Sequence, residues 1–358
     1  MLVWVLMLFG IILVRFLIPD SIGEKKKNLI FLSISFCIVV FVMGSRSPHL
    51  LGSNDLMSYF RCYGNSMNYS LAQMMEFSTL ETGYLVLNQI LAWLVPWNYF
   101  ILYFEAAFCT FVMFWYIYRN ANSVFLAVIV YLCLGPWQFF LTGFRQTIAI
   151  CICFIAFEFM KKHKTLWDLG ALVLIALAAA IHTTAWIFLL TFLIRKVKIT
   201  KKVIIYSVML TLLMLVFIDE IVDYGNQVLE KNYVMAYHGN EFGGLIPILI
   251  YVAALILCYL IWGWNHAYVE ENAFEIAMLL FGLCVYLTRY TSLIMERISF
   301  YFTPVITIVL SNAITRQRTN TVRNIIYVIC IVLCILLYLY RADVQYGEYH
   351  FYWEYMGG

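Results

Sequence analysis

The sequence predicts an all-α polytopic integral membrane protein with about 12 transmembrane helices, some of them short, broken or re-entrant. Composition and pattern carry this expectation. Of 358 residues, 64% are hydrophobic and only 12% are charged, about half the charge of a soluble domain. Apolar runs long enough to cross a bilayer recur along the whole chain, and the period-2 alternation of a membrane β-barrel is absent. A cytosolic enzyme and a secreted domain are thereby excluded. A net charge of +3 gives no footing for a nucleic-acid partner.

The runs lie near 2–18, 28–44, 84–97, 99–118, 124–141, 144–160, 166–194, 203–219, 245–264, 274–290, 298–315 and 323–340, and they read as a single transmembrane domain over 1–358. Residues 2–18 read as a retained first helix, because no charged segment precedes them and no small-x-small cleavage site follows. The hydrophilic stretches 45–83 and 220–243 read as extracytoplasmic loops. Basic residues favour the cytoplasmic side. They cluster at Lys25–Lys27, at Lys161, Lys162 and Lys164, from Arg195 to Lys202, and at Arg316, Arg318 and Arg323. All these clusters share one side only if 166–194 crosses twice, turning near Ala180-Ile181-His182, and if 84–97 does not cross. The first run is long for one span. The second is short and carries interfacial Trp93, Pro96 and Trp97. A rival topology, with one crossing for each of these runs, nearly equalises the basic residues on the two sides. The preferred topology leaves both termini outside and sets Arg46, Arg61, Arg145, His182, Arg289 and Arg297 at or near the outer face.

The ten cysteines, all but Cys62 within apolar runs, read as small packing residues rather than a disulfide or zinc framework. No second histidine shares the stripe of His182, so a metal is not expected.

A charge near the bilayer centre costs about 2.5–3.5 kcal/mol, so each ionisable residue beside a span needs a reason. Arg145 opens a helix directly after Leu141-Thr142-Gly143-Phe144. Gln146 follows, then the small residues Ala149 and Cys153 at i+4 spacing, a stripe that a neighbouring helix can approach closely. Arg145 is a candidate anion clamp, because a guanidinium offers phosphate oxygens a rigid fork; the plain alternative is a snorkelling helix-end arginine. His182, at the expected tip of two short helices, can accept a proton or bond a ligand, or can be a buried imidazole satisfied by a carbonyl. Glu296 pairs with Arg289 if their helix continues. Arg297 precedes Phe300-Tyr301-Phe302 and Pro304, which suits a broken helix lining a cavity. Glu158 reads as a helix-end partner of Lys162, and Glu105 is an acid in the outer third of its helix. Asp219, Glu220, Asp223, Glu230 and Glu241 read as a solvated loop face. There is no Walker A sequence, no Gly-x-Gly-x-x-Gly and no Asp-x-Asp pair. No cofactor is expected, and the energy for any chemistry must reside in an activated membrane substrate.

The segment Thr142-Gly143-Phe144-Arg145-Gln146-Thr147-Ile148-Ala149, followed downstream by Ala180-Ile181-His182-Thr183-Thr184-Ala185, resembles the EpsG family of polysaccharide polymerases. Gly52-Ser53-Asn54-Asp55 with Tyr59-Phe60 is similar to its Gly-x-Asp segment, and Glu81-Thr82-Gly83-Tyr84 to its Glu-x-Gly-Tyr. Glu296-Arg297-Ile298-Ser299-Phe300-Tyr301-Phe302 is similar to its Arg-x-x-x-Tyr-Phe element. The likeness spans residues 45–310. Arg46-Ser47-Pro48 stands where the family often carries an Arg-Tyr pair, which weakens any specific role for Arg46.

The resemblance implies a GT-C-like membrane glycosyltransferase of the bacterial inner (cytoplasmic) membrane, related to Wzy-type O-antigen and capsule polymerases. Such an enzyme joins oligosaccharide repeat units linked to polyprenyl pyrophosphate, in bacteria undecaprenyl pyrophosphate, on the extracytoplasmic face. The product is an O-antigen, capsule or exopolysaccharide. The non-reducing sugar of one unit attacks the anomeric carbon of the chain on another, and the lipid pyrophosphate leaves without metal or nucleotide. Its partners are the lipid-linked oligosaccharide, the bilayer and a chain-length regulator protein. By this likeness Arg145 and Gln146, with Arg289 or Arg297, hold the pyrophosphate. His182, Asp55 and Glu81 are the candidates for base or sugar-hydroxyl ligand. Tyr84 and Tyr301 contact substrate, and Tyr59, Tyr63 and Tyr84 can stack on sugar faces. The alternatives are a secondary transporter or flippase of a lipid-linked or small substrate, an O-antigen ligase, and a membrane acyltransferase leaning on His182. A transporter is disfavoured because the two halves show no internal repeat and the ionisable residues gather toward one face.

Overall fold

The computed structural model describes residues 1–48, 54–217, 220, 223–224, 245–263, 265–290, 293–344, 346 and 348–355. In chain order its helices are α1 (Leu2–Leu17), α2 (Glu24–Gly44), α3 (Asn54–Ser66), α4 (Leu71–Phe77), α5 (Thr82–Leu94), α6 (Phe100–Asn120), α7 (Val124–Cys133), α8 (Gly135–Phe140), α9 (Phe144–Met160) and α10 (Thr165–Ile181). A 3-10 helix, Thr183–Leu190, leads into α11 (Thr191–Ile194) and α12 (Lys201–Val216). The rest are α13 (Leu245–Trp262), α14 (His266–Glu271), α15 (Ala273–Leu287), α16 (Leu293–Ser299), α17 (Ile306–Thr315) and α18 (Asn320–Val344). Extended pairing among the described residues is confined to a bridge between Arg46 and Phe351.

Glu24–Gly44, Phe100–Asn120 and Asn320–Asp343 are each long and apolar enough to cross a membrane, and several shorter apolar helices accompany them. The surface agrees with that reading. Ile205, Val208 and Leu212 on α12, Val328, Ile329 and Val332 on α18, and Leu169 and Val173 on α10 are all exposed. Water does not tolerate such stripes on a monomer, whereas hydrocarbon does. The protein is a helical membrane protein whose centre is α7, buried along its whole length, and α9, buried over nearly all of it. The cysteines are free; most are buried, and Cys37 alone among them is exposed.

The bundle has two chemically distinct ends. At the basic end Lys161 Nζ reaches Asn120 Oδ1 and Glu275 Oε1, each at 2.5 Å. This ties the ends of α6 and α9 to the start of α15. Arg195 forms a bidentate pair with Asp168, at 2.6 and 2.7 Å, so the end of α11 lies beside the start of α10. The chain therefore leaves this end in α10, reverses at His182, where the backbone is extended (φ −150°, ψ 110°), and returns. The 17 residues of α10 span about 25 Å. The return is shorter in residues but partly 3-10, with a rise of about 2.0 Å per residue, and so covers about 22 Å.

Since α6 and α9 meet at the basic end, Phe100 and Phe144 mark the opposite one. Helix α5 starts there, where Glu81 contacts Arg145 and His182. It finishes there as well: Tyr63 donates to the Val95 carbonyl at 2.8 Å, and Trp97 stacks on Tyr103 in the first turn of α6, centroids 5.7 Å apart. Helix α5 thus lies along one end of the bundle and does not traverse it.

The hydrophilic stretch 45–83 is not merely a loop. It folds into α3 and α4, and Ser70 and Gln73 close a reciprocal capping box at the start of α4. Glu158 faces Arg119 at 3.1 Å and Lys161 at 3.4 Å rather than Lys162. Lys161 is already the last cap of α9 and the chain turns away at His163 (φ 51°), so the i+4 register that Lys162 needs does not exist. Gly52, Ser53, Asp219, Glu230, Glu241 and most of 220–243 lie outside the described residues.

In a cysteine-free background, Thr79→Cys and Pro96→Cys are expected to react with an impermeant thiol reagent from one side of the membrane, and His163→Cys and Ile199→Cys from the other. Opposite labelling of positions 79 and 96 would show that α5 crosses.

Candidate active site

Three elements converge on one carboxylate. Glu81 is the residue that caps α5, Arg145 sits in the first turn of α9, and His182 with Thr183 forms the turn after α10. Arg145 Nη1 donates to Glu81 Oε2. His182 Nδ1 lies 3.4 Å from Glu81 Oε1, and Thr183 Oγ1 donates to the same oxygen at 2.9 Å. Both charged partners are largely shielded, with side chains 18% exposed for Arg145 and 8% for Glu81. Local sequence permits the convergence at Gly83: a Cβ there would run into the Ala180 carbonyl, so only glycine lets α5 lie against the α10 tip.

Burial works against ionisation of Glu81, but the His182 hydrogen bond and the Arg145 charge outweigh it and hold its carboxyl well below the usual carboxylate range. Such a carboxylate is a weak base and a strong anchor.

Beneath Arg145 lies an aromatic floor. Its guanidinium stands 5.5 Å from the Tyr59 ring centre. Tyr59 stacks on Phe144 at 5.6 Å with 14° between the planes and meets Tyr84 edge-on at 5.7 Å. Burial pushes the Tyr59 phenol up against the pull of both Arg145 and Arg297, so both guanidiniums act on this one hydroxyl. Tyr84, Tyr301 and Tyr63 are fully buried. Tyr84 packs against Tyr59, the Tyr301 hydroxyl meets Thr184 Oγ1 at 3.0 Å, and Tyr63 bonds the backbone. These tyrosines support the site from behind and, as they stand, have no surface to offer a sugar.

On the open side Arg297 Nη2 faces Asp55 Oδ2 at 3.7 Å, their side chains 57% and 52% exposed. An ion pair so wet contributes little to stability and leaves both groups accessible to a ligand. Gln146 turns to the protein instead of to solvent. Its amide donates to the Arg297 carbonyl at 2.7 Å, tying α9 to α16. Arg289 is held by Glu296 at 3.1 Å and by the Tyr286 hydroxyl at 3.2 Å. The expected Arg289–Glu296 pair forms even though the helix does not continue; a 3-10 turn, Thr288–Tyr290, ends the α15 path before α16 begins. The structure therefore gathers Arg145, Glu81 and His182 closely, leaves Asp55 and Arg297 as an exposed pair, and keeps Arg289 in a pair with Glu296. Thr183 and Gly83 are the residues the sequence reading passed over. Their signals were adjacency to His182 and the glycine inside Glu81-Thr82-Gly83-Tyr84.

Glu81→Gln is expected to destabilise the purified protein by about 3–5 kcal/mol, the usual cost of stripping one partner from a buried pair. Because the folded carboxyl titrates below its unfolded value of about 4.3, this contribution is fully present above that pH. It is lost as pH falls through the lowered folded value. Melting curves of wild type and Glu81→Gln from pH 8 down to pH 3 check this; a difference that already shrinks between pH 7 and 5 would contradict it. Gly83→Ala, which removes no charge, is expected to lower the melting temperature by displacing α5 from Ala180.

No curated protein and no solved structure matches the chain. Residues 29–356 match the EpsG family, a stretch that contains Glu81, Arg145, His182 and the helices that present them. The chain belongs to the EpsG family, a family of Wzy-like polymerases.

Proposed function

We propose that this protein polymerises polyprenyl-pyrophosphate-linked oligosaccharides into a surface polysaccharide, with Arg145 as the residue that receives the departing diphosphate. The observation that carries this is the half-used guanidinium of Arg145. One nitrogen is spent on Glu81, while Nε is buried and has no hydrogen-bond partner among the described residues. A donor held dry and unsatisfied beside an exposed Arg297 is suited to an incoming anion.

In the proposed reaction an acceptor sugar hydroxyl attacks the anomeric carbon of the growing chain. The bond from that carbon to the phosphate oxygen breaks, and the electron pair departs on the lipid diphosphate. Arg145 and Arg297 meet the charge that develops there; preorganised donors of this kind are worth about 10²–10³ in kcat. The hydroxyl proton goes to His182. Glu81 beside Nδ1 favours the tautomer with the proton on that nitrogen, so Nε2 is the accepting atom, and the carboxylate then stabilises the imidazolium. Glu81 itself is too weak a base for this task. Asp55 is assigned to acceptor sugar hydroxyls. Arg289, paired with Glu296, is assigned a structural role.

We further infer that the bundle crosses the inner membrane about 12 times, with the Arg145 end extracytoplasmic. Supporting this, Lys25–Lys27, Lys161–Lys164, Arg195–Lys202 and Arg316–Arg323 all belong to the opposite end, as basic residues on the cytoplasmic side should. A transporter reading fits less well, because the charged residues gather at one end of the bundle instead of its midplane.

Purified protein incubated with a lipid-pyrophosphate oligosaccharide is expected to yield a ladder of products; a single transfer product would assign a ligase instead. Arg145→Ala is expected to abolish extension with the protein still in the membrane. Arg145→Lys should lose about 10²-fold, since an ammonium lacks the fork. Long polymer from Arg145→Ala would defeat the assignment.

A further inference from the structure

Arg46 has no task in the family motif, yet it is wholly buried. It stands just beyond the end of α2 and spreads its fork over two segments. Nη1 donates to the Met43 carbonyl at 2.5 Å, and Nη2 donates to the Leu141 carbonyl at 2.7 Å. The first ties it to the last turn of α2, the second to the loop that leads into α9. Glu105 Oε2 lies 3.9 Å from Nη2.

Arg46 also stands over a ring. The guanidinium sits 5.4 Å from the centre of Phe144. Phe144 stacks on Tyr59, and Tyr59 carries Arg145 at 5.5 Å. The order is therefore Arg46, Phe144, Tyr59, Arg145. The C-terminal segment is tied to the chain on either side of Arg46. Ser47 N–H donates to the His350 carbonyl at 2.8 Å, Tyr352 N–H to the Ser45 carbonyl at 3.0 Å, and the Tyr349 hydroxyl to the Val42 carbonyl at 2.7 Å.

Neutralising Glu105 needs only a positive charge, which lysine would supply. Bonding two carbonyls on different segments while standing over Phe144 needs the planar fork of arginine. We infer that Arg46 is a positioning residue: it pins the 141–144 turn and the Phe144 ring, and through them sets where the Arg145 guanidinium stands. Its effect on catalysis rests on the polymerase reading; its effect on the turn does not.

The test uses the full chain in lipid nanodiscs, with amide hydrogen exchange over residues 141–147 and steady-state chain extension from a lipid-pyrophosphate oligosaccharide. Arg46→Lys, which keeps a charge opposite Glu105, is expected to melt near wild type. It should speed exchange over 141–147 and lower kcat about 10- to 100-fold, the range that small misplacements of a reacting group produce, with a smaller change in KM. Phe144→Leu, which breaks the stack without touching a charge, is expected to lower kcat in the same way. The double variant Arg46→Met with Glu105→Leu replaces both charges by apolar groups, so it folds without a lone buried ion and still shows the kcat loss. Wild-type exchange and kcat in Arg46→Lys, or wild-type kcat in Phe144→Leu or in the folded double variant, would overturn the inference. If wild type makes no chains, the polymerase reading fails alone, and the exchange over 141–147 in Arg46→Lys still decides whether Arg46 pins the turn.

Discussion

The Glu81 carboxylate is the joint on which the site depends. It is touched by α9 through Arg145 and by the α10 turn through His182 and Thr183, while its residue holds the N-cap position of α5. Two acid oxygens serve three partners, and the shielding that would normally protonate a carboxyl is overcome by the His182 hydrogen bond and the Arg145 charge. Without it Arg145 would be a shielded cation with no counter-charge, and α5 would have no polar reason to lie against the α10 tip.

Around that joint the protein separates its charges by purpose. The basic end is a lattice of ordinary pairs, Arg195 with Asp168, Lys161 with Glu275, Arg119 with Glu158, which fastens helix ends where they leave the apolar region. The other end grades its arginines by exposure: a buried Arg46, a shielded Arg145, and an open Arg297. Aromatic rings do the insulating. Phe144 and Tyr59 lie between two guanidiniums that would otherwise repel at short range, each cation facing the negative face of a ring.

Family and geometry bear on function differently. Membership in the EpsG family speaks to polymer synthesis on a membrane substrate. The geometry speaks to which atoms are available. Tyr84, Tyr301 and Gln146 have their polar atoms or rings turned into the protein. The geometry also separates Arg297, which is open, from Arg289, which is engaged.

The helical membrane class was legible in the sequence because hydrophobic length and charge depletion are local and additive properties. The reversal at His182 and the placement of α5 along one end of the bundle were legible too, since basic residues record which ends share a side. Arg145 and His182 stood out as polar groups in apolar settings, and Glu81 through its likeness to the family's Glu-x-Gly-Tyr segment. What the sequence could not contain was which oxygen meets which nitrogen. The burial of Tyr84 and Arg46, the helices hidden in 45–83, and the rejection of Lys162 as the partner of Glu158 each depend on how helices from distant parts of the chain dock. Side-chain contacts between segments far apart in sequence are set by packing angles and close approaches such as Gly83 against Ala180, and those exist only once the tertiary structure has formed.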